Sequence, residues 1–362
     1  MKIFFYFGHP AQFHFYKNII NTLKHENVEI FIYIKSKDVL YNLVKETGWH
    51  FLNVSPGRRG NLKVSIILSL LKRDIIFFWQ ALRLKPDLMV ASDPSFSHAA
   101  FLLGIPCLNF IDDDYDSVGY YAGITYPFTK TIITPACVRV GKWENKRVAY
   151  SGYMKLAYLH PNWFMPDIRK IGDLKKDNYF LIRLSGLSAH HDKGMEGISP
   201  AFLKRIINKL SQYGKVVISA EDVLDESLIQ YKLSIPASEM HHYLYHAGIL
   251  ISDSQSMSGE AAVLGTPSIR ISSFKDKLSV LDELEYKYGL TFAFMPEQHE
   301  EILDKIDTLL HHNNLEHEFQ SRRQCMLDEK IDVVAFATWF IKNYPQSLEV
   351  MNDNSDYQYG FR

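Results

Sequence analysis

Cysteine is scarce in this chain, with three residues (Cys107, Cys137 and Cys325) in 362. They form no CxxC pair and none of the spacings that gather four ligands on a metal, which excludes a zinc module or a disulfide framework. A reducing compartment is expected. Long hydrophobic runs are also missing: no stretch reaches the roughly eighteen apolar residues that a membrane-spanning helix needs. The opening MKIFFYFGHPAQFHF lacks the charged head, apolar run and small-residue cleavage site of a signal peptide, and a cytoplasmic protein is expected. Nor does one sign of charge dominate. Forty Lys and Arg face 41 Asp and Glu, a net charge of −1, so no overall field draws in nucleic acid, and any basic patch must be local.

What is present is apolar sequence in short, regularly broken pieces. At 47% hydrophobic residues, 362 positions supply enough for two ordinary cores. Residues 2–7 form an apolar run, Gly8, His9 and Pro10 break it, and residues 14–26 resume at helical spacing. The unit recurs: 30–34 precedes a helical 37–47, 87–91 precedes 95–103, and 107–111 precedes a helix near 117–128. Strands alternating with helices predict a parallel, doubly wound sheet. After 156–176, which reads as a linker, strands at 179–184, 215–219, 248–252 and 268–271 alternate with helices such as 200–212 and 258–264. The expectation is two Rossmann-like domains, 1–155 and 177–328, with parallel sheets facing a central cleft. Residues 329–345 carry Val333, Val334, Phe336, Ala337, Trp339 and Phe340 and need a surface to cover; the polar tail 346–362 reads as frayed.

The most informative segment is ISDSQSMSGEAAVLGTPSI, residues 251–269. A strand ends at Ser252, small polar residues turn the chain, and a helix is expected from near Ser258, its N-terminus open to a diphosphate. Ser254, Gln255, Ser256 and Met257 line that turn. Glu260, placed in the first helical turn, has a carboxylate that can accept both hydroxyls of a ribose. Gly265 and Pro267 end the helix and begin the next strand. The plainer alternative is that the serines merely cap a helix and Glu260 favours its dipole.

This segment resembles the DSGG-x-x-EE-x-x-x-x-G-x-P signature of the non-hydrolysing UDP-N-acetylglucosamine 2-epimerases through Asp253, Ser254, Glu260, Gly265 and Pro267. It is also similar to the donor-binding helix of GT-B glycosyltransferases. A bacterial and archaeal family of unknown function related to both opens with an SHP-x-x-x-H-like turn and carries E-A-A-V-L-G-T-P; GHPAQFH and EAAVLGTP match it, and the resemblance covers most of residues 1–310. It implies an α/β fold of the GT-B type, a nucleotide-sugar domain in the second half, an acceptor domain in the first, and a C-terminal helix that returns to the first. Gln255 and Ser256 stand where the epimerases have glycines, Gly259 replaces their first glutamate, and their HR-x-EN motif is missing. Nucleotide binding through Glu260 survives these departures better than the epimerase mechanism does.

Three further clusters follow from the same frame. In the first loop, Gly8 lets the chain turn, and His9 and His14 are expected at the carboxyl edge of the sheet, where an imidazole suits the removal of an acceptor hydroxyl proton. Packing is the alternative for both. In RLSGLSAHHDKG, Arg183, His190, His191 and Lys193 can stabilise a leaving diphosphate, His190 among the catalytic candidates, with a solvated loop of mixed charge as the alternative. Asp93 ends a strand, where the epimerases have an acid; it is read as an acid/base or a helix cap. Glu221, with Ser219 and Asp222, ends another strand and is assigned to the nucleobase side. One carboxylate of the Asp112, Asp113, Asp114 and Asp116 run is read as lining the cleft near the acceptor and the others as facing water, in preference to a D-x-D metal motif, and His241 and His242 are read as packing or capping residues.

These assignments predict a metal-independent glycosyltransferase of surface polysaccharide or glycoconjugate assembly, with a nucleotide-sugar donor, a glycan or lipid-linked acceptor and no cofactor. The alternatives are a UDP-GlcNAc-type 2-epimerase and a non-catalytic nucleotide-sugar-binding subunit. Residues 58–85 mix apolar positions with Arg58, Arg59, Lys63, Lys72, Arg73, Arg83 and Lys85, a pattern that fits peripheral contact with an anionic membrane or an ordinary core helix with basic ends.

Overall fold

The computed structural model describes residues 1–35, 39–54, 63–185, 197–273 and 275–362. The chain divides into two units, Met1–Tyr158 with Lys330–Arg362 and Leu159–Glu329. In the first, β1 (Lys2–Phe7), β2 (Glu29–Ile34), β3 (Phe51–Asn53), β4 (Leu88–Ala91), β5 (Cys107–Phe110), β6 (Thr131–Pro135) and β7 (Arg147–Tyr150) build one parallel sheet in the order β3-β2-β1-β4-β5-β6-β7. Strands β4, β5 and β6 are buried at every position, as befits a parallel sheet with helices on both faces.

Those helices are α1 (Pro10–His25), α2 (Val39–Glu46), α3 (Lys63–Leu84), α4 (Pro94–Leu103) and α5 (Gly119–Thr125). Alternation along β1 sends Tyr6 toward α3 and α4, where it meets Phe77 and Phe96, and sends Phe5 and Phe7 toward Tyr16 of α1. Both α1 and α4 begin on a proline directly behind a capping side chain. The His9 ring accepts from the Ala11 N–H at 3.3 Å and Asp93 Oδ1 from that of Ser95 at 2.9 Å. Proline suits the first helical position because its missing N–H is one that no carbonyl within the helix could have met.

After α6 (Leu156–Leu159), the second unit contains β8 (Tyr179–Leu184), α7 (Pro200–Leu210), β9 (Lys215–Ala220), α8 (Met240–His246), β10 (Ile249–Ser252), α9 (Gln255–Leu264), β11 (Ser268–Ile271), α10 (Ser279–Asp282), β12 (Thr291–Phe294), α11 (His299–Leu310) and α12 (Leu315–Glu329). Its parallel sheet runs β12-β11-β10-β8-β9. Helix α9 starts at Gln255, three residues ahead of the expected Ser258, because the Ser254 hydroxyl accepts from the Met257 N–H at 3.4 Å and sets the cap there. Glu260 consequently falls in the second turn of α9, not the first. Gly265 closes the helix in the left-handed region, φ 75°, where a side chain is disfavoured.

The last segment, α13 (Val333–Lys342) and α14 (Gln346–Asp353), belongs to the first unit, where α13 packs on α1. Gly152 makes room for it: a Cβ there would stand 2.6 Å from a Val333 methyl. The tail expected to fray is ordered instead. Tyr357 and Phe361 lie 4.9 and 5.3 Å from the Trp339 ring, and Gln358 Oε1 accepts from the Ser151 N–H at 2.6 Å. Polar composition hid two aromatics that cover the apolar side of α13.

Candidate functional site

In each sheet the chain reverses its direction of strand addition beside the first strand, between β1 and β4 and again between β8 and β10. Ligands of open parallel sheets bind outside the carboxyl ends of strands at such a switch point. In the second unit that edge is built on Asp253. Its Oδ1 accepts from the Ser185 N–H at 2.6 Å and the Ser185 hydroxyl at 2.9 Å, which ties the ends of β8 and β10 together. Burial pushes the Asp253 carboxyl up, and the two Ser185 donors only partly oppose it. Gly197 sits against the other oxygen, where a Cβ would come within 2.7 Å. Ser185, Gly197, Ser199, Ala220, Asp222 and Asp253 line a cavity of about 420 Å³.

Beside it rises α9. The Ser254 N–H donates to the Ser252 hydroxyl at 2.8 Å, the Ser254 side chain caps the helix, and Ser256 is exposed in the first turn. Such an N-terminus carries partial positive charge and suits an anion. Gln255 turns away from this edge: its amide donates to the Ser272 hydroxyl at 2.7 Å and accepts from Arg270 at 2.8 Å. Met257 is buried. Gln255 thereby ties the start of α9 to Arg270 of β11 and to Ser272. One turn deeper, buried Glu260 faces His241 Nε2 of α8 at 3.4 Å.

Arg183 and Glu221 do come together, and with each other. Arg183 reaches from β8 to the Ser219 hydroxyl at 2.8 Å and to Glu221 at 2.5 Å. The expected diphosphate cation is thus already paired. His190, His191 and Lys193 lie outside the described residues. His242 accepts from the Asp167 N–H at 3.0 Å and packs on Phe164, a structural role.

At the switch point of the first unit, the Gly8 N–H donates to Gln12 Oε1 at 2.9 Å while the Gln12 amide reaches the Ser92 carbonyl at 3.3 Å, joining the ends of β1 and β4. His9 caps α1, and half-buried His14 stacks against Tyr158 with ring centres 5.2 Å apart. Asp93 caps α4, one of the two roles expected of it, and lies 3.6 Å from buried Arg73. Asp112 pairs with Lys155 at 3.0 Å and Asp114 with Arg139 at 3.3 Å. Asp113 is exposed to solvent.

Sequence reasoning assigned His241 to packing or capping and did not single out Arg270, Ser185 or Gln12. Arg270 carried a signal, since a lone arginine inside the apolar strand SIRI must be buried with a partner. The other three follow only from which strands and helices become neighbours.

Two Rossmann-like units, each a parallel sheet with its own switch point, define a protein of the GT-B fold class. The chain belongs to the family described as protein of unknown function DUF354, whose model matches residues 1–335. Among solved structures it is similar to the UDP-GlcNAc 2-epimerase of Methanocaldococcus jannaschii, with 15% identity and a TM-score of 0.63 over 90% of this chain and 100% of that one. It is similar to the Neisseria meningitidis UDP-GlcNAc 2-epimerase bound to UDP-GlcNAc, with 13% identity and a TM-score of 0.64 over 91% and 99%. A glycosyltransferase of kitacinnamycin matches at 11% identity and a TM-score of 0.64 over 94% and 97%. At such identities the likeness is one of fold. No curated protein matches the sequence.

Proposed function

We propose that this chain is an enzyme that binds a nucleotide-sugar through its second unit and transfers the sugar to an acceptor hydroxyl, in surface polysaccharide or glycoconjugate assembly. The observation that carries the reading is the edge at β10. There the Asp253–Ser254 turn sets the N-terminus of α9 beside an open cavity, and a buried carboxylate, Glu260, lies one helical turn in. A diphosphate fits the helix end at Ser254 and Ser256, and Glu260, positioned by His241, is the acceptor for ribose hydroxyls. His14 is the proposed base. The chemistry asks for no cofactor: the nucleotide is the leaving group, and the helix end stabilises its charge as the glycosidic bond breaks. His190, His191 and Lys193 remain the candidates for neutralising it further.

A thermal-shift series with UDP, GDP, CDP, CMP and TDP tests the site, because a ligand that binds only the folded state raises the unfolding midpoint. One nucleotide is expected to shift the wild type and to shift Glu260→Gln by clearly less at the same concentration. The absence of a shift with every nucleotide withdraws the reading.

The solved epimerases of the same fold favour a second reading, nucleotide-sugar 2-epimerisation. Against it stands Asp93, whose carboxylate is already held by Arg73 and the Ser95 N–H. NMR of UDP-GlcNAc with the protein alone separates the two: a new anomeric signal without any acceptor selects epimerisation.

A further inference from the structure

The solvent face of α3 is apolar along most of its length. Ile67, Leu68, Leu71, Ile75, Trp79 and Leu82 are all exposed, Leu68 at 60% and Trp79 at 62%. Their spacing puts them opposite Arg73, Phe77 and Ala81, which are buried. The face therefore is not a misplaced core stripe: the helix already has an inward side, filled by Phe77 against Tyr6, Tyr33 and Phe96. Helix α4, packed alongside, adds exposed Phe101 and Leu102. A soluble surface seldom leaves a contiguous apolar stripe of this kind uncovered without a partner.

The charges around the stripe indicate which partner. Lys72 and Arg83 are exposed on α3, and Lys85 follows it. The one acid of the helix, Asp74, is half-buried and bonded to His98 at 3.2 Å. Arg73, expected among the lipid-facing cations, is not one of them; it is buried against Asp93. What remains toward solvent on α3 is apolar surface with cations only. A second copy of the chain, meeting this face about a twofold axis, would offer Lys72 and Arg83 no carboxylate from α3. An exposed apolar stripe flanked by cations suits α3 to lie along a bilayer.

We infer that the outer face of α3 docks the protein on an anionic lipid bilayer, with Ile75 and Trp79 seated at the headgroup–acyl boundary and Lys72 and Arg83 on lipid phosphates. An indole at that depth keeps its ring in apolar surroundings and its N–H near water. The consequence for the reading above is an acceptor presented at a membrane surface, although docking itself does not depend on which reaction the second unit performs.

Co-sedimentation of the full chain with vesicles tests this directly. Binding is expected to vesicles of equal phosphatidylglycerol and phosphatidylcholine and to be weak with phosphatidylcholine alone. Lys72→Glu/Arg83→Glu is expected to lower binding by about twenty-five-fold or more, since each cation at such a surface counts for roughly a factor of five and both are lost. Leu71→Gln/Ile75→Gln should lower it comparably, and both variants should keep the wild-type thermal midpoint, because the altered residues are exposed. Failure of the wild type to bind anionic vesicles overturns the inference. So does sedimentation velocity that finds a dimer which Leu71→Gln/Ile75→Gln converts to monomers, because the face would then belong to a second copy. Nucleotide binding is unaffected in either case, so this test and that of the proposed function fail independently.

Discussion

A buried carboxylate is tolerated only where a cation or donors replace its lost water, and Glu260 meets that condition through His241. In the proposed function each partner has its own part: Glu260 would hold the ligand and His241 would hold Glu260. Glu260→Gln keeps shape and removes charge; it is expected to weaken nucleotide binding by on the order of tenfold, the scale of one charge-assisted hydrogen bond. His241→Asn should give a smaller loss, and isothermal titration of both reads the ordering. Equal loss in the two would mean that His241 touches ligand itself. Asp253 makes a different prediction. Its carboxyl is displaced upward by burial, so the folded state holds the proton more tightly than the unfolded chain does. Folding stability from this group is therefore greatest at low pH and declines as pH rises through the folded value. Asp253→Asn, which keeps the acceptor for Ser185, should remove that decline. Urea unfolding at pH 4.5 and 7.5 checks it: the variant should gain on the wild type at the higher pH. Asp253, Ser254 and Glu260 were legible because they are close in sequence. His241 was not, because it reaches Glu260 from the preceding helix.

At the scale of elements, His98 of α4 braces three helices. Its ring is 3.2 Å from Asp74 of α3 and 2.7 Å from the Ile124 carbonyl of α5. Lost hydration pushes the imidazole down, but the hydrogen bonds to Asp74 and Ile124 and the Asp74 and Asp93 charges together outweigh it and the net displacement is upward. For a histidine raised on folding, the contribution to stability is complete below the ordinary value near 6.5 and disappears as pH climbs through the folded value. His98→Gln should therefore lower the thermal midpoint at pH 6 more than at pH 9. An equal drop at both would assign His98 a packing role alone. Helix starts show what the sequence could and could not convey. Proline behind a capping side chain made α1 and α4 visible, whereas the start of α9 had several serines to choose from, and only the Ser254 hydrogen bond decides it. Strands β3, β6, β7 and β12, three to five residues long, were not among the strands expected from the sequence.

On the scale of the whole molecule, periodicity revealed the two parallel sheets, since strands covered on both faces are written as apolar runs. Strand order lay beyond it: nothing local states that β4 returns to the far side of β1. The C-terminal segment shows the same boundary from the other side. The apolar stripe of α13 announced that it needed a surface, but half of that surface is the tail, whose composition suggests solvent. Trp339 lies between Phe336 of its own helix and Tyr357 and Phe361 beyond it, and the Asp332 N–H donates to the Phe361 carbonyl at 2.6 Å. Removing residues 354–362 strips these contacts together and bares the Trp339 ring. By comparison with large aromatic deletions, the loss should be on the order of 3 kcal/mol, carried by the first unit because α13 packs there on α1. Calorimetry of the truncated chain should show the transition of the first unit moving down and that of the second staying in place, with Trp339 more accessible to a soluble fluorescence quencher. An unchanged thermogram would return the tail to the frayed state that its composition suggests, and α13 would then have to be stable on α1 and Gly152 alone.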